Sequence, residues 1–436
     1  MGGVGGTPSG VRGPASGSAG IGGRAVLGWC FYDFANSPFS TLIVTAGYSQ
    51  YFQEVVATGN RSALLWGIAT SASTLAAAVL SPWLGAVADQ TASKMRFLRA
   101  FTLACAAFTM TLALVGSGDV GAGMLLFVAA NATLTAATSL NNAFLSEITP
   151  ASRHGRVSAY GFGLGYLGGL LATAAVIPWA GGSLSTPQGA ATFRWIFPIT
   201  AAWLLAFSLP TFAWVRERPG SGAQTGASGT WGTGWRRIGS TLRELRRFRN
   251  LALFLCAYFL FIDGVDTIFS FGSRVARDRY EFDQRLIFLL FIFSNFVAAV
   301  GTTALGFVTD RVGPHRVIGW ALAGVLGLLA AVALGSHPAV FWGAALALGC
   351  LLGAIQSAAR ALMARLSPPE RQAEFFGFFS LTGRMGAAIG PIAFGALWSP
   401  QAPWRAIGFL MGLIGTGLWL LRRVDVEHGE REARSA

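Results

Sequence analysis

The chain has 436 residues, 53% of them hydrophobic and 12% charged, with a mean hydropathy of +0.54. It is too apolar and too poor in charge for an ordinary soluble domain, and this composition belongs in a lipid bilayer. The formal charge of +13 does not read as a nucleic-acid interface, because the arginines stand in short clusters between apolar runs and no basic domain is set apart; a bias of cations to one side of a membrane accounts for it.

Residues 1–24 are rich in Gly and Ser and lack a basic start followed by an apolar core. They read as a disordered cytoplasmic tail without a cleavable secretory signal. Apolar stretches long enough to cross a bilayer then run from Leu27 to Val55, Ala63 to Ala88, Phe97 to Val115, Met124 to Ser146, Val157 to Ala180 and Phe193 to Val215. After a break, six more run from Leu251 to Gly272, Leu286 to Thr309, Val317 to Leu334, Val340 to Ala364, Phe375 to Leu397 and Trp404 to Leu421. Runs of this length without polar alternation are helices, which satisfy their own backbone groups in lipid.

The expected fold is therefore an all-α polytopic membrane protein of about twelve spans in two six-helix bundles, residues 25–215 and 250–422. The linker between them, 216–249, begins Gly- and Ser-rich. It then places Trp235, Ile238, Leu242, Leu245 and Phe248 on one helical face, with arginines on the other. That pattern predicts an amphipathic helix on the anionic inner leaflet. Basic residues cluster before the first span, in alternate loops, in the linker and in the tail 423–436, so both termini should be cytoplasmic, in a plasma (inner) membrane.

The two halves share a motif. Gly85-Ala86-Val87-Ala88-Asp89 recurs as Gly306-Phe307-Val308-Thr309-Asp310, displaced by 221 positions, and Pro150 and Arg153 recur as Pro368 and Arg371. Such duplication is characteristic of carriers that rock two halves around a central site.

Charges inside the spans carry the functional signal, because each costs roughly 2.5–3.5 kcal/mol at a helix centre. Asp263 and Asp266 lie three residues apart on one helical face, which should turn inward. Arg384, near the middle of its own span, is the candidate partner, either in an ion pair that holds the second bundle or in a site for substrate or proton. Gln356 and Arg360, one helical turn apart, could line the same cavity, while Arg360 could equally snorkel to the inner surface. In the first half, Asp33 and Asn36 lie near Pro38. Asp33 is about six residues, roughly 9 Å, past Leu27, at an inner mouth. Asn131, Thr135, Thr138 and Asn142 form one polar stripe that either packs helices or lines a pathway.

The paired motif, continued by Arg311, Gly313 and Arg316, resembles the loop signature of the major facilitator superfamily. The resemblance implies a cytoplasmic latch in which Gly85, Asp89, Gly306, Asp310 and Arg311 set conformational balance. An aspartate there can accept N–H groups from a neighbouring helix start. Tyr32-Asp33-Phe34-Ala35-Asn36-Ser37-Pro38-Phe39, Asp263-Gly264-Val265-Asp266-Thr267-Ile268, Gln356 to Arg360, Glu374 to Phe378 and Gly390-Pro391 narrow it further. Together they resemble the autophagy-related vacuolar amino-acid effluxer-like family. That likeness implies the major facilitator fold, and its fungal members imply efflux of neutral amino acids.

The expected function is secondary transport of a small solute by alternating access, with protons as a candidate coupling ion and no cofactor. Two alternatives stay open. One is a carrier-like sensor that binds without transport. The other is a small-molecule or drug exporter, although Tyr166 follows Gly165 where the drug-antiporter motif has proline. A membrane enzyme is disfavoured: His154, His315, His337 and His428 are dispersed, with no HExxH or Gly-x-Ser-x-Gly segment. Cys30, Cys105, Cys256 and Cys350 are scattered singly and suggest neither metal nor disulfide chemistry.

Overall fold

The computed structural model describes residues 23–45, 47–57, 61–180, 184, 186–217, 248–282, 284–335, 337–386, 389–399 and 401–435. The linker helix expected from Trp235 and nearly all of the N-terminal tail lie outside them. In the first half the spans are α1 Gly23–Phe39, α2 Ser62–Thr91, α3 Lys94–Thr111, α4 Val120–Ala143, α5 His154–Ala180 and α6 Ile196–Trp214. In the second they are α7 Arg249–Tyr280, α8 Gln284–Val312, α9 Pro314–Leu334, α10 Pro338–Leu366, α11 Gln372–Gly386 and α12 Pro403–Leu421. Three of these start on proline, whose missing N–H and fixed φ suit the first helical position.

Among the described residues, 10 helices are long and apolar enough to cross a membrane by themselves. The first span is instead assembled from pieces. Pro38 sits near the end of α1, and the backbone beyond it widens into π-helical turns at Ser40–Thr45 and Phe52–Val56 around the short helix Gly47–Tyr51. A proline removes one helical hydrogen bond and crowds the preceding turn, so the chain departs from regular geometry nearby. The described parts of the eleventh span are Gln372–Gly386 and Ile389–Leu397.

Packing repeats between the halves. In the first, α1 contacts α5 and α6, α2 contacts α4, and α3 contacts α4 and α6. The second half reproduces each pairing: α7 with α11 and α12, α8 with α10, and α9 with α10 and α12. The halves meet where α2 lies along α11 and α5 along α8, again as symmetric counterparts. Glycines make that approach close. A Cβ on Gly85 would strike the backbone of Ala373 and Glu374, and one on Gly306 would strike Ala159 and Arg156. Gly377 likewise faces the backbone of Pro82. Without lipid between the halves, small residues are what allow two membrane helices to pack backbone to backbone.

The C-terminal segment is more than a tail. Val426–Arg434 forms α13, capped by Asp425, whose Oδ1 accepts the His428 N–H at 2.9 Å. Asn250 Oδ1 accepts the Asp425 N–H at 2.9 Å, which docks this helix on the start of α7.

Candidate functional site

The latch aspartates lie at equivalent places in the two halves. Asp89, at the end of α2, accepts the N–H groups of Ala373 at 3.3 Å and Glu374 at 3.0 Å, the first turn of α11. Asp310, at the end of α8, accepts those of Gly155 at 2.9 Å and Arg156 at 3.2 Å, the first turn of α5. First-turn N–H groups have no partner within their own helix and carry the positive end of its dipole, so a carboxylate is a favourable acceptor. Each bond pair joins one half to the other.

The counter-ions differ. Arg156 Nε bonds Asp310 Oδ2 at 2.5 Å, whereas Asp89 pairs with Lys94 at 3.1 Å, and Lys94 also reaches Glu147 at 2.8 Å. At the position equivalent to Arg156 stands Glu374, which binds Arg371 at 3.1 Å. Arg311 is exposed, with no bond to another described residue.

Deeper in the interface lies an ion pair that the sequence did not indicate. Arg360 Nη1 on α10 donates to Asp33 Oδ2 on α1 at 2.6 Å, with side chains 5% and 7% exposed. Arg360 therefore does not snorkel to the surface. Its guanidinium lies 4.1 Å from the Phe162 ring centroid and 5.0 Å from that of Trp29. Both rings supply a negative π face to a weakly hydrated cation. Asp33 lies ten residues along the described part of α1, and its carboxylate packs at the level of Gly161 on α5.

Gly161 on α5 leaves room for this pair, since a Cβ there would overlap Asp33 Oδ2 and lie 2.9 Å from the Trp29 ring and 3.2 Å from Arg360 Nη1. Gly161→Ala is therefore expected to destabilise the protein by about 1–3 kcal/mol through overpacking. Gly169→Ala, whose added Cβ meets nothing nearer than 3.9 Å, is the matched control and should melt like the wild type. Equal melting temperatures for the two variants would contradict a space requirement at Gly161.

Asp263 is the counterpart of Asp33 in the repeat: Ser37 and Thr267, each four residues later, donate back to the aspartate carbonyl at 2.8 and 2.7 Å. Its role differs. Both Asp263 oxygens accept the Gly390 N–H, at 2.9 and 2.8 Å, near the start of helix Ile389–Leu397. The expected pairing with Arg384 is not formed, and Arg384 makes no hydrogen bond or ion pair with a described residue. The Gly390 N–H thus takes the place of the cation expected for Asp263. Asp266, half-buried, lies three residues further along α7. Trp29 and Phe162, which flank the Arg360 guanidinium, were not picked out from sequence.

The polar stripe on α4 divides. Asn131 Nδ2 donates to Ser73 Oγ on α2 at 2.8 Å, which is packing within one half. Further along, Ser139 Oγ donates to Ser380 Oγ on α11 at 2.6 Å, across the interface. Asn142 is 6% exposed with its Oδ1 unbonded among the described residues. Neighbouring Asn141 is fully buried with both side-chain heteroatoms unbonded, while its carbonyl accepts the Trp29 indole N–H at 2.6 Å. Asn36 bonds the Tyr32 carbonyl in its own helix at 2.8 Å, and Gln356 is half-buried one turn before Arg360. The interface thus holds one compensated ion pair, a serine pair and amide groups unbonded among the described residues, a set able to hold a small polar solute.

Comparison with known proteins places this arrangement. The family described as "Vacuole effluxer Atg22 like" matches residues 61–151 and 146–434. An uncharacterized MFS-type transporter, YxiO of Bacillus subtilis (strain 168), is 29% identical over 371 residues, covering 84% of this chain and 86% of that protein. Autophagy-related protein 22-1 of Aspergillus niger is 27% identical over 301 residues, covering 64% of this chain but 48% of its own. The chain thus spans about half the length of that fungal relative. Among solved structures, the major facilitator superfamily transporter FucP in the outward conformation superposes with a TM-score of 0.73 at 14% identity, covering 93% of this chain and 99% of that one. The human organic anion transporter MFSD10 gives 0.66 at 15% identity, covering 92% and 98%. At such identities the superpositions speak for the fold alone.

Proposed function

The chain belongs to the vacuole effluxer Atg22-like family, and from that premise we propose that it is a secondary active transporter moving a small solute by alternating access of its two halves. The observation that carries this reading is the pair of aspartate latches. Asp89 and Asp310 occupy the same register of a duplicated chain, and each ties a helix end of one half to a helix start of the other. Charged hydrogen bonds of this kind contribute about 1.5–3 kcal/mol each, and water can replace them when the halves part. That is the scale of a reversible gate.

Neutral amino acids leaving the cytoplasm are the substrate class we infer from the family, with protons as the driving ion. An amino acid carries one carboxylate and one ammonium, and Arg384 and Asp266 offer opposite charges within the second half. Asp33, Asn142, Asp263, Gln356 and Arg360 border the route between the halves. The cytoplasm-closed state fits this reading if both termini are cytoplasmic, in a plasma (inner) membrane.

Flux of a pooled set of labelled amino acids into proteoliposomes, with and without a pH gradient, tests it. The expected result is saturable accumulation of at least one member that collapses when the gradient is dissipated. Saturable flux indifferent to the gradient would remove protons from the proposal. Binding without flux would replace the carrier with a sensor.

A further inference from the structure

A groove of about 740 Å³ runs along the seam where α1 and α5 of the first half meet α8 of the second. Its walls are Leu27, Leu164, Leu167, Phe296 and Val300, with Gly163 bringing α5 close to α8 at its floor. The polar groups along it are turned to the protein: Cys30 Sγ faces the Val157 carbonyl at 3.8 Å, and Thr303 Oγ1 donates to the Ala299 carbonyl at 2.8 Å. Leu27, Phe296 and Val300 are 44%, 55% and 57% exposed. An apolar cleft of this size inside a bilayer is open to hydrocarbon, and acyl chains are the apolar material at hand.

The mouth adds selectivity. The groove begins at Gly23, next to the exposed Arg24. On its other edge Arg156 lies 5.5 Å over the Phe307 ring, and that ring packs edge-on against Tyr160 in the groove wall. The Arg156 side chain is 37% exposed, and its pairing with Asp310 uses only Nε. From Arg156 to Leu167, along α5, is about 16 Å at 1.5 Å per residue. That matches the roughly 15 Å hydrocarbon depth of one leaflet. Two cations thus stand at headgroup level above an apolar channel one leaflet deep.

We infer that this groove is a binding site for one anionic phospholipid of the leaflet nearest the chain termini, its acyl chain along α5 and α8 and its phosphate between Arg24 and Arg156. The lipid would touch both halves and sit beside the Asp310 latch. The inference is independent of the carrier reading, because binding is measured without transport.

Native mass spectrometry of the full chain in detergent, titrated with phosphatidylglycerol or phosphatidylcholine, tests it. One phosphatidylglycerol should remain bound at concentrations where phosphatidylcholine is stripped. Val300→Trp and Leu167→Trp, each at the groove wall, should both remove it while leaving helical content and monodispersity intact. Arg24→Gln should lower the preference for phosphatidylglycerol about fivefold, the effect of one cation near a headgroup. Equal retention of the two lipids, or undiminished phosphatidylglycerol in both tryptophan variants, would overturn the inference.

Discussion

Arg360→Ala is expected to shift the protein away from the closed arrangement by about 3–5 kcal/mol, a factor of roughly 10² to 10³ or more in the closed-to-open ratio. The reason is the isolation of Asp33. With Arg360 gone, its carboxylate faces Gly161 and the Trp29 ring without a counter-ion, and a buried charge stripped of its partner carries most of its desolvation penalty. When the halves part, water reaches Asp33, so the penalty falls on the closed state alone. A single cysteine at Ser380, which bonds Ser139 across the interface at 2.6 Å, reports the change in a background lacking the native cysteines. Its labelling by an impermeant maleimide should rise steeply in Arg360→Ala. The double variant Asp33→Asn, Arg360→Gln removes both charges together and should recover much of the closed population. Unchanged labelling in Arg360→Ala, or a double variant as open as the single, would show that the pair does not hold the halves together.

The second large effect concerns the latches. Asp310→Ala removes the acceptor for the Gly155 and Arg156 N–H groups and for Arg156 Nε. Asp89→Ala removes it for Ala373 and Glu374, while Lys94 keeps Glu147 at 2.8 Å. In neither case is a fully buried cation stranded, because the Arg156 side chain is 37% exposed. The loss should therefore follow the hydrogen bonds, about 1.5–3 kcal/mol for each bond removed and so on the order of a hundredfold or more in the closed-to-open ratio for each variant. The two sites share no partner, so their effects should add in the double variant. Additive shifts in the same Ser380 labelling assay are the expected result. A double variant no more open than either single one would mean that the seams α2–α11 and α5–α8 open as one.

Much of the architecture was legible in the chain because it rests on local rules. Apolar runs of bilayer length give helices wherever they occur, and the repeated Gly-x-x-x-Asp segments mark equivalent helix ends in both halves. The interruptions were less visible. Pro38 stood out in the first span, but the extent of the π-helical turns beyond it depends on neighbouring helices that accept an irregular backbone. The helical C-terminal segment was read as a tail because its charged sequence has no apolar run; its docking depends on Asn250, far away in the chain.

The sequence by itself determined that this protein is a duplicated bundle of membrane helices with acids and arginines inside it. The tertiary structure alone decided how those charges are matched. Asp33 and Asp263 occupy the same place in the repeat, yet one meets Arg360 of the other half and the other meets the Gly390 N–H of its own. Helical periodicity tells which residues share a face, but not which helix that face will meet. A buried carboxylate then binds whichever donor the packing brings within hydrogen-bond reach, because charge attraction falls with distance.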